Sequence, residues 1–229
     1  MNFFIMSFLL TLFLQNTYAD ALPFVTQSDD EQVCQNIASD EIENYERLVE
    51  RFGGKKASID QLERNESGLQ KYLKGTGVRF FSAKEIMTPN SQIEALKCGL
   101  DNLIPPQCIW ANAGALLSLF DRIREKISGP IFFRNWWRPT CYNSLVDGAK
   151  ASDHLLAKSF DIDFVKPQDR AIAQKFLCSE LWKKKENIQV GMGCTSLHVG
   201  LASPRGKRFW FYSSMKDCPV KSLDNCWEP

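Results

Sequence analysis

Imidazole is nearly absent from this chain. Its 229 residues include two histidines, His154 and His198, so any metal or acid-base chemistry built on imidazole must use one or both. Net charge is scarce too: 28 basic residues against 27 acidic ones leave a formal charge of +1. That supplies no field for gathering nucleic acid or an anionic membrane, and no basic block is long enough to do so locally, so nucleic-acid binding is not expected. No internal repeat or low-complexity tract is present, and no stretch after Leu14 is apolar enough for an integral membrane span. No C-x-x-C pair occurs, although a thiolate zinc site needs such close pairs.

An apolar run from Phe3 to Leu14 comes first, too short for a hydrocarbon core that needs about 20 residues. Thr17-Tyr18-Ala19 follows, with small residues at the two positions a signal peptidase reads. Residues 1–19 are therefore expected to be a signal peptide, which implies a periplasmic or secreted protein. The competing reading is an uncleaved anchor or a core helix, since no Lys or Arg precedes the run. Export suits the eight cysteines, Cys34, Cys98, Cys108, Cys141, Cys178, Cys194, Cys218 and Cys226, an even count that predicts up to four disulfides in a pairing the sequence does not choose.

Residues 20–77 read as an N-terminal helical region. Ile42, Tyr45, Leu48, Val49 and Phe52 recur at helical spacing before Gly53-Gly54, and Ser58-x-x-Gln61 is expected to open a second helix carrying Leu62, Leu69, Tyr72 and Leu73. Residues 78–229 read as one further domain ending in a cysteine-rich tail. Leu116, Leu117, Phe120, Ile123 and Ile127 predict an amphipathic helix ending at Gly129, and Pro130 to Trp137 a buried strand. Phe160 to Val165, Ile188 to Val190, Leu197 to Leu201 and Phe209 to Tyr212 read as further strands, with a helix from Asp169 to Lys184. The order predicts an α+β fold, an antiparallel sheet packed with helices.

Chemistry concentrates in Ser152-Asp153-His154 and Phe160-Asp161-Ile162-Asp163-Phe164. Strand alternation sends Phe160, Ile162 and Phe164 to a core and Asp161 and Asp163 to the other face; in Leu197-His198-Val199 the histidine turns away from its apolar neighbours in the same way. If these strands are neighbours, His154, Asp161 and His198 converge. Two imidazoles and one carboxylate suit Zn²⁺ and leave a fourth position to water. Taken singly, each residue has a bland reading: His154 capping a loop, His198 a satisfied core histidine, Asp161 a surface charge.

The wider run, Arg138-Pro-Thr-Cys141-Tyr-Asn143, then Gly148-Ala149, then Ser152-Asp-His154-Leu-Leu-Ala157-Lys-Ser159-Phe-Asp161, resembles the peptidoglycan peptidases of the M15 type, the zinc D-alanyl-D-alanine carboxypeptidase group. That family carries R-[ST]-P-x-Y-N, a G-A turn, S-x-H-x-x-G-x-A-x-D and a strand with F-V-H-[VL]-D. The resemblance extends from Arg79-Phe-Phe-Ser-Ala-Lys-Glu85 through Gly191-Met-Gly193 to Arg208-Phe-Trp210, about residues 78 to 212. It implies a zinc site of His154, Asp161 and His198, with Arg138 holding substrate or its developing oxyanion and Ser152 at the site edge binding a ligand or substrate. The alternative for Arg138 is a structural salt bridge. Trp136, Trp137 and Trp210 are candidates for a pocket lining, although strand aromatics more often serve the core.

The chain departs from the pattern at several positions. Pro139 and Thr140 stand in reversed order, and Ala157 and Ser159 replace the motif's Gly and Ala. Gly200 stands where many members have Asp, and Thr195 where some have the glutamate that serves as general base. Asp163 is the expected substitute, with support of a ligand histidine as its other reading. The resemblance thus implies a monomeric zinc peptidase acting on peptidoglycan peptides at a D-amino acid. The alternative is an inactive zinc-bearing protein that binds cell-wall peptide or a protein partner.

Overall fold

The computed structural model describes residues 33–35, 37, 39–182, 188–201 and 206–219. The expected signal peptide and most of the cysteine-bearing tail lie outside the described residues. Helix α1 (Ser39–Arg51) forms as its spacing predicts, burying Tyr45, Leu48 and Val49. It stops at Gly53, whose φ of 89° is left-handed backbone that glycine tolerates without strain. The next helix starts later than expected. Ser58 Oγ accepts the Asp60 amide in a local turn and Gln61 has φ 61°, whereas α2 (Glu66–Thr76) begins after Asn65, whose side chain accepts the Gly68 amide. The Asn65 oxygen satisfies a first-turn donor that Ser58, spent on its own turn, does not reach.

Two short helices, α3 (Ala83–Met87) and α4 (Gln92–Lys97), lead to α5 (Trp110–Arg124). Helix α5 is not amphipathic as expected: from Trp110 to Asp121 every residue is buried. Gly114 explains how its outer side is covered, because a Cβ there would come within 3.3 Å of Val49, Tyr72 and Thr76. The N-terminal helices thus close directly over α5, and their apolar residues share one hydrophobic cluster with the sheet. A helix apolar on all sides is stable only when neighbours cover all of them.

Five strands form one sheet, β1 (Ile131–Asn135), β2 (Ser159–Phe164), β3 (Gln189–Met192), β4 (Ser196–Gly200) and β5 (Arg208–Phe211), in the order β1-β2-β4-β3-β5. The expected purely antiparallel sheet is corrected to a mixed one. β1–β2, β2–β4 and β3–β4 pair antiparallel, but β5 runs parallel to β3. The reason is topological: β2 occupies the free edge of β4, so a strand reversing direction after β4 finds its open edge beyond β3, to which it must be parallel. β1 is also an edge strand rather than a buried one, with Phe132 52% exposed. The buried aromatics of that segment, Trp136 and Trp137, follow the strand.

One sheet face is apolar. Phe133, Phe160 and Phe120 pack with ring centroids 5.2 to 6.1 Å apart, and Trp136 stacks on Phe160 at 5.4 Å and 2°. Helices α6 (Thr140–Leu145) and α7 (Pro167–Leu177) complete the fold, α7 passing into a π-helical turn, Cys178–Trp182. Disulfides join Cys34 to Cys108, Cys98 to Cys141 and Cys194 to Cys218, and Cys178 is disulfide-bonded as well. No described helix is long and apolar enough to cross a membrane.

Candidate metal centre

The strand register brings the candidate ligands into one row. Asn135 pairs with Asp161, Asp161 with His198, His198 with Gly191 and Gly191 with Trp210, so the row crosses all five strands. Alternation turns it away from the apolar face, and Asp163 lies two residues along β2 on the same side. His154 arrives from a 3₁₀ turn, Asp153–Leu156, whose first amides are served by Ser152: its Oγ accepts the His154 N–H at 3.3 Å.

That turn ends at Ala157 with φ 50°, a left-handed residue at the position where the M15 motif has Gly. Both imidazoles then meet the Asp161 carboxylate, His154 Nε2 lying 3.1 Å from Oδ2 and His198 Nδ1 2.8 Å from Oδ1. One nitrogen or oxygen atom from each of the three lies within 4.8 Å of the others, close enough to share a metal ion.

Orientation comes from outside the triad. His154 Nδ1 is 2.7 Å from the Trp136 carbonyl oxygen, to which it donates as the N–H tautomer, leaving Nε2 as the free lone pair. That Nε2 is buried and has no hydrogen-bond partner among the described residues. A buried nitrogen without a donor, facing a carboxylate and a second imidazole, is what a metal ligand requires. Asn135 Nδ2 donates to Asp161 Oδ2 at 3.3 Å, and Trp210 closes the other side with its ring 5.2 Å from His198. Gly191 makes room for that indole, since a Cβ there would lie 2.4 Å from Trp210 ring carbons.

The charges reinforce this arrangement. Burial alone would raise the Asp161 carboxyl, but the two imidazoles hold it well below its ordinary range. Burial lowers His154, with Asp161 opposing, which favours the neutral imidazole that binds metal. Arg138 is lowered by burial against the pull of Asp161. Its Nη2 donates to Ser152 Oγ at 3.4 Å, its Nε is buried without a partner, and no carboxylate lies within ion-pair distance among the described residues.

Asp163 accepts from Arg134 through Oδ2, while its Oδ1 is buried and unpartnered. Trp136 and Trp137 have core side chains; of the three candidate tryptophans only Trp210 brings its ring to the site, while Trp136 reaches it through its carbonyl. The supporting parts that sequence reading missed are Asn135 and the Trp136 carbonyl. A backbone carbonyl carries no sequence signal, and an isolated Asn carries almost none. A separate cleft between Arg51, Lys55, Ser118 and Arg122 contains none of the site residues, and it is the ligand chemistry of the triad that marks the centre.

An α+β scaffold bringing two imidazoles and a carboxylate together, beside a guanidinium with no carboxylate partner among the described residues, has the ligand set of a mononuclear metal site and could hold one ion. The chain belongs to the peptidase M15 family (Peptidase_M15_3), which matches residues 81–202, and an M15 zinc peptidase domain is therefore present. His154, Asp161 and His198 all lie inside the matched span. No curated protein and no solved structure matches the chain.

Proposed function

We propose that this protein is an exported, monomeric zinc peptidase that hydrolyses peptidoglycan stem or cross-link peptides at a D-amino acid, as a D-alanyl-D-alanine carboxypeptidase or endopeptidase. The observation that carries the reading is the convergence of His154, Asp161 and His198 within the M15 match. His154, Asp161 and His198 would hold Zn²⁺, which when bound would supply water activation and Lewis-acid polarisation of the scissile carbonyl. Arg138, charged and free of carboxylate partners, holds a substrate carboxylate or the developing oxyanion. Ser152 steers the Arg138 fork and the His154 turn.

Asp163 is the proton acceptor in this reading: Arg134 takes one oxygen and leaves the other, buried and unpartnered, on the face shared with Asp161. Asp163→Asn then keeps zinc and lowers turnover on the order of 100-fold, the scale of lost general acid-base help. Weakened metal affinity with intact turnover would instead make Asp163 a support for the ligands.

Thr195 and Gly200 favour a second reading, a zinc-bearing protein that binds wall peptide without cleaving it. Neither supplies a carboxylate, and at Gly200 an added Cβ would sit 3.4 Å from Ser159 Cβ and 3.5 Å from Gln189 Cβ rather than in open space. Incubating the purified protein with cross-linked muropeptides, with and without chelator, decides between them. Chelator-sensitive products support the peptidase, and binding without products supports the alternative.

A further inference from the structure

We propose that Tyr212 is a catalytic residue of this centre, its phenolic O–H donating to the carbonyl oxygen of the scissile amide as negative charge collects there. The proposal rests on the peptidase reading and adds a residue to it. Tyr212 lies just past β5 and two residues after Trp210, so alternation puts both aromatic side chains on the metal-bearing face. Its amide donates to the Met192 carbonyl at 2.7 Å, which extends the parallel β3–β5 ladder by one residue. The Cys194–Cys218 disulfide ties the segment after β5 to the β3–β4 turn. The phenol ring stands edge-on to Trp210, centroids 6.0 Å apart at 77°, and Trp210 in turn packs on His198. Burial, with the negative charge of Asp161, raises the Tyr212 phenol above its ordinary range, so the group keeps its proton.

Tyr212 is nevertheless 41% exposed, so its side chain is open to an incoming ligand. The strand order sets it opposite Arg138. Asp161 and His198 lie on β2 and β4 and His154 on the turn before β2, while Arg138 follows β1 at one edge of the sheet and Tyr212 follows β5 at the other. A carbonyl held between them meets a donor from each side.

In hydrolysis the oxygen of water adds to the carbonyl carbon and the π pair moves onto the carbonyl oxygen. That pair returns as the C–N bond breaks, and the leaving nitrogen takes up a proton, so one water is consumed per amide. Tyr212 keeps its own proton throughout. It contributes only where charge accumulates, which raises kcat rather than substrate affinity.

Tyr212→Phe deletes the hydroxyl and keeps the ring on Trp210. The experiment measures zinc content, muropeptide kinetics, and calorimetric binding of a phosphinate analogue of D-alanyl-D-alanine, whose tetrahedral anion mimics the charged oxygen. Expected are unchanged zinc and KM, with kcat and phosphinate affinity each reduced on the order of 100-fold, the scale of one lost oxyanion donor. Parental kcat and phosphinate affinity in Tyr212→Phe overturn the assignment. Loss of zinc overturns it as well, by making the residue a support for the metal. A parent protein that binds zinc but neither binds phosphinate nor cleaves muropeptides overturns the peptidase reading first and the Tyr212 assignment with it.

Discussion

On the helix-covered face of the sheet Phe133, Phe160, Ile162, Val190 and Val199 join one hydrophobic cluster with α5, whereas on the opposite face the strands present Asn135, Asp161, Asp163, His198 and Trp210. On the helix side unmet polar demand is scattered, as at Ser118 Oγ of α5 and Nε1 of the core Trp137. The opposite face concentrates it: Asn135 Oδ1, His154 Nε2, Ser159 Oγ and Asp163 Oδ1 are buried without hydrogen-bond partners among the described residues, and Arg138 Nε beside them is in the same state. Each such atom costs about 1–3 kcal/mol of desolvation that folding does not return. Stability therefore resides on one face, and the other carries unsatisfied groups that a metal and a substrate would complete.

Substitutions separate the two faces. The largest effect is expected at the ligands: His154→Ala or His198→Ala should abolish stoichiometric metal binding, read by metal analysis of purified protein, while a metal-free melt shows little loss of fold. Full metal content in both variants would break the assignment. Phe160→Ala should do the reverse. It empties the centre of the Phe120, Phe133 and Trp136 cluster and costs about 3–5 kcal/mol in chemical denaturation, with zinc per folded molecule unchanged.

Arg138→Lys keeps the charge and loses the planar fork, so turnover should fall at least about 10-fold with a melting temperature close to the parent's. A large drop in melting temperature with parental turnover would move Arg138 to the structural side of the comparison.

Acid offers a graded version. Because burial disfavours protonation of His154, protons displace the metal from that ligand only as pH falls below the ordinary imidazole range of about 6.5. The same shift has a sign for the metal-free fold: the stability from keeping His154 neutral is full above the unfolded imidazole range and is lost as pH falls through the lowered folded value. Metal retention followed from pH 8 to pH 5, in steps of about half a unit, checks the first statement. The smallest effect is expected at Ala157→Gly. It relieves a left-handed alanine at the end of the His154 turn and should stabilise the fold by up to about 1 kcal/mol, measured as a shift in denaturation midpoint.

Much of the centre was legible because its ligands are rare residue types at characteristic spacings. With two histidines in the chain, His154, Asp161 and His198 were accessible from Ser152-x-His154, from the alternation of Phe160 to Phe164 and from the M15 resemblance. Their supports were not. The carbonyl of Trp136, the amide of Asn135 and the ring of Trp210 act on the triad through a register in which residues 135, 161, 198, 191 and 210 stand side by side.

By itself, then, the sequence determined the α+β composition, the faces of β2 and β4, the even cysteine set and, through the M15 resemblance, the candidate ligand set. The first three follow from local periodicity or residue chemistry. Only the tertiary structure decided that α5 is buried all round, that β5 joins β3 in parallel and so brings Trp210 to the centre, and that Asn65 rather than Ser58 begins α2. The first two depend on which edge or surface was left open once the other elements had packed, a long-range condition that no window of the chain contains. The third turns on local hydrogen bonds that the spacing does not show: Ser58 Oγ takes the Asp60 amide in its own turn, and Asn65 takes the Gly68 amide.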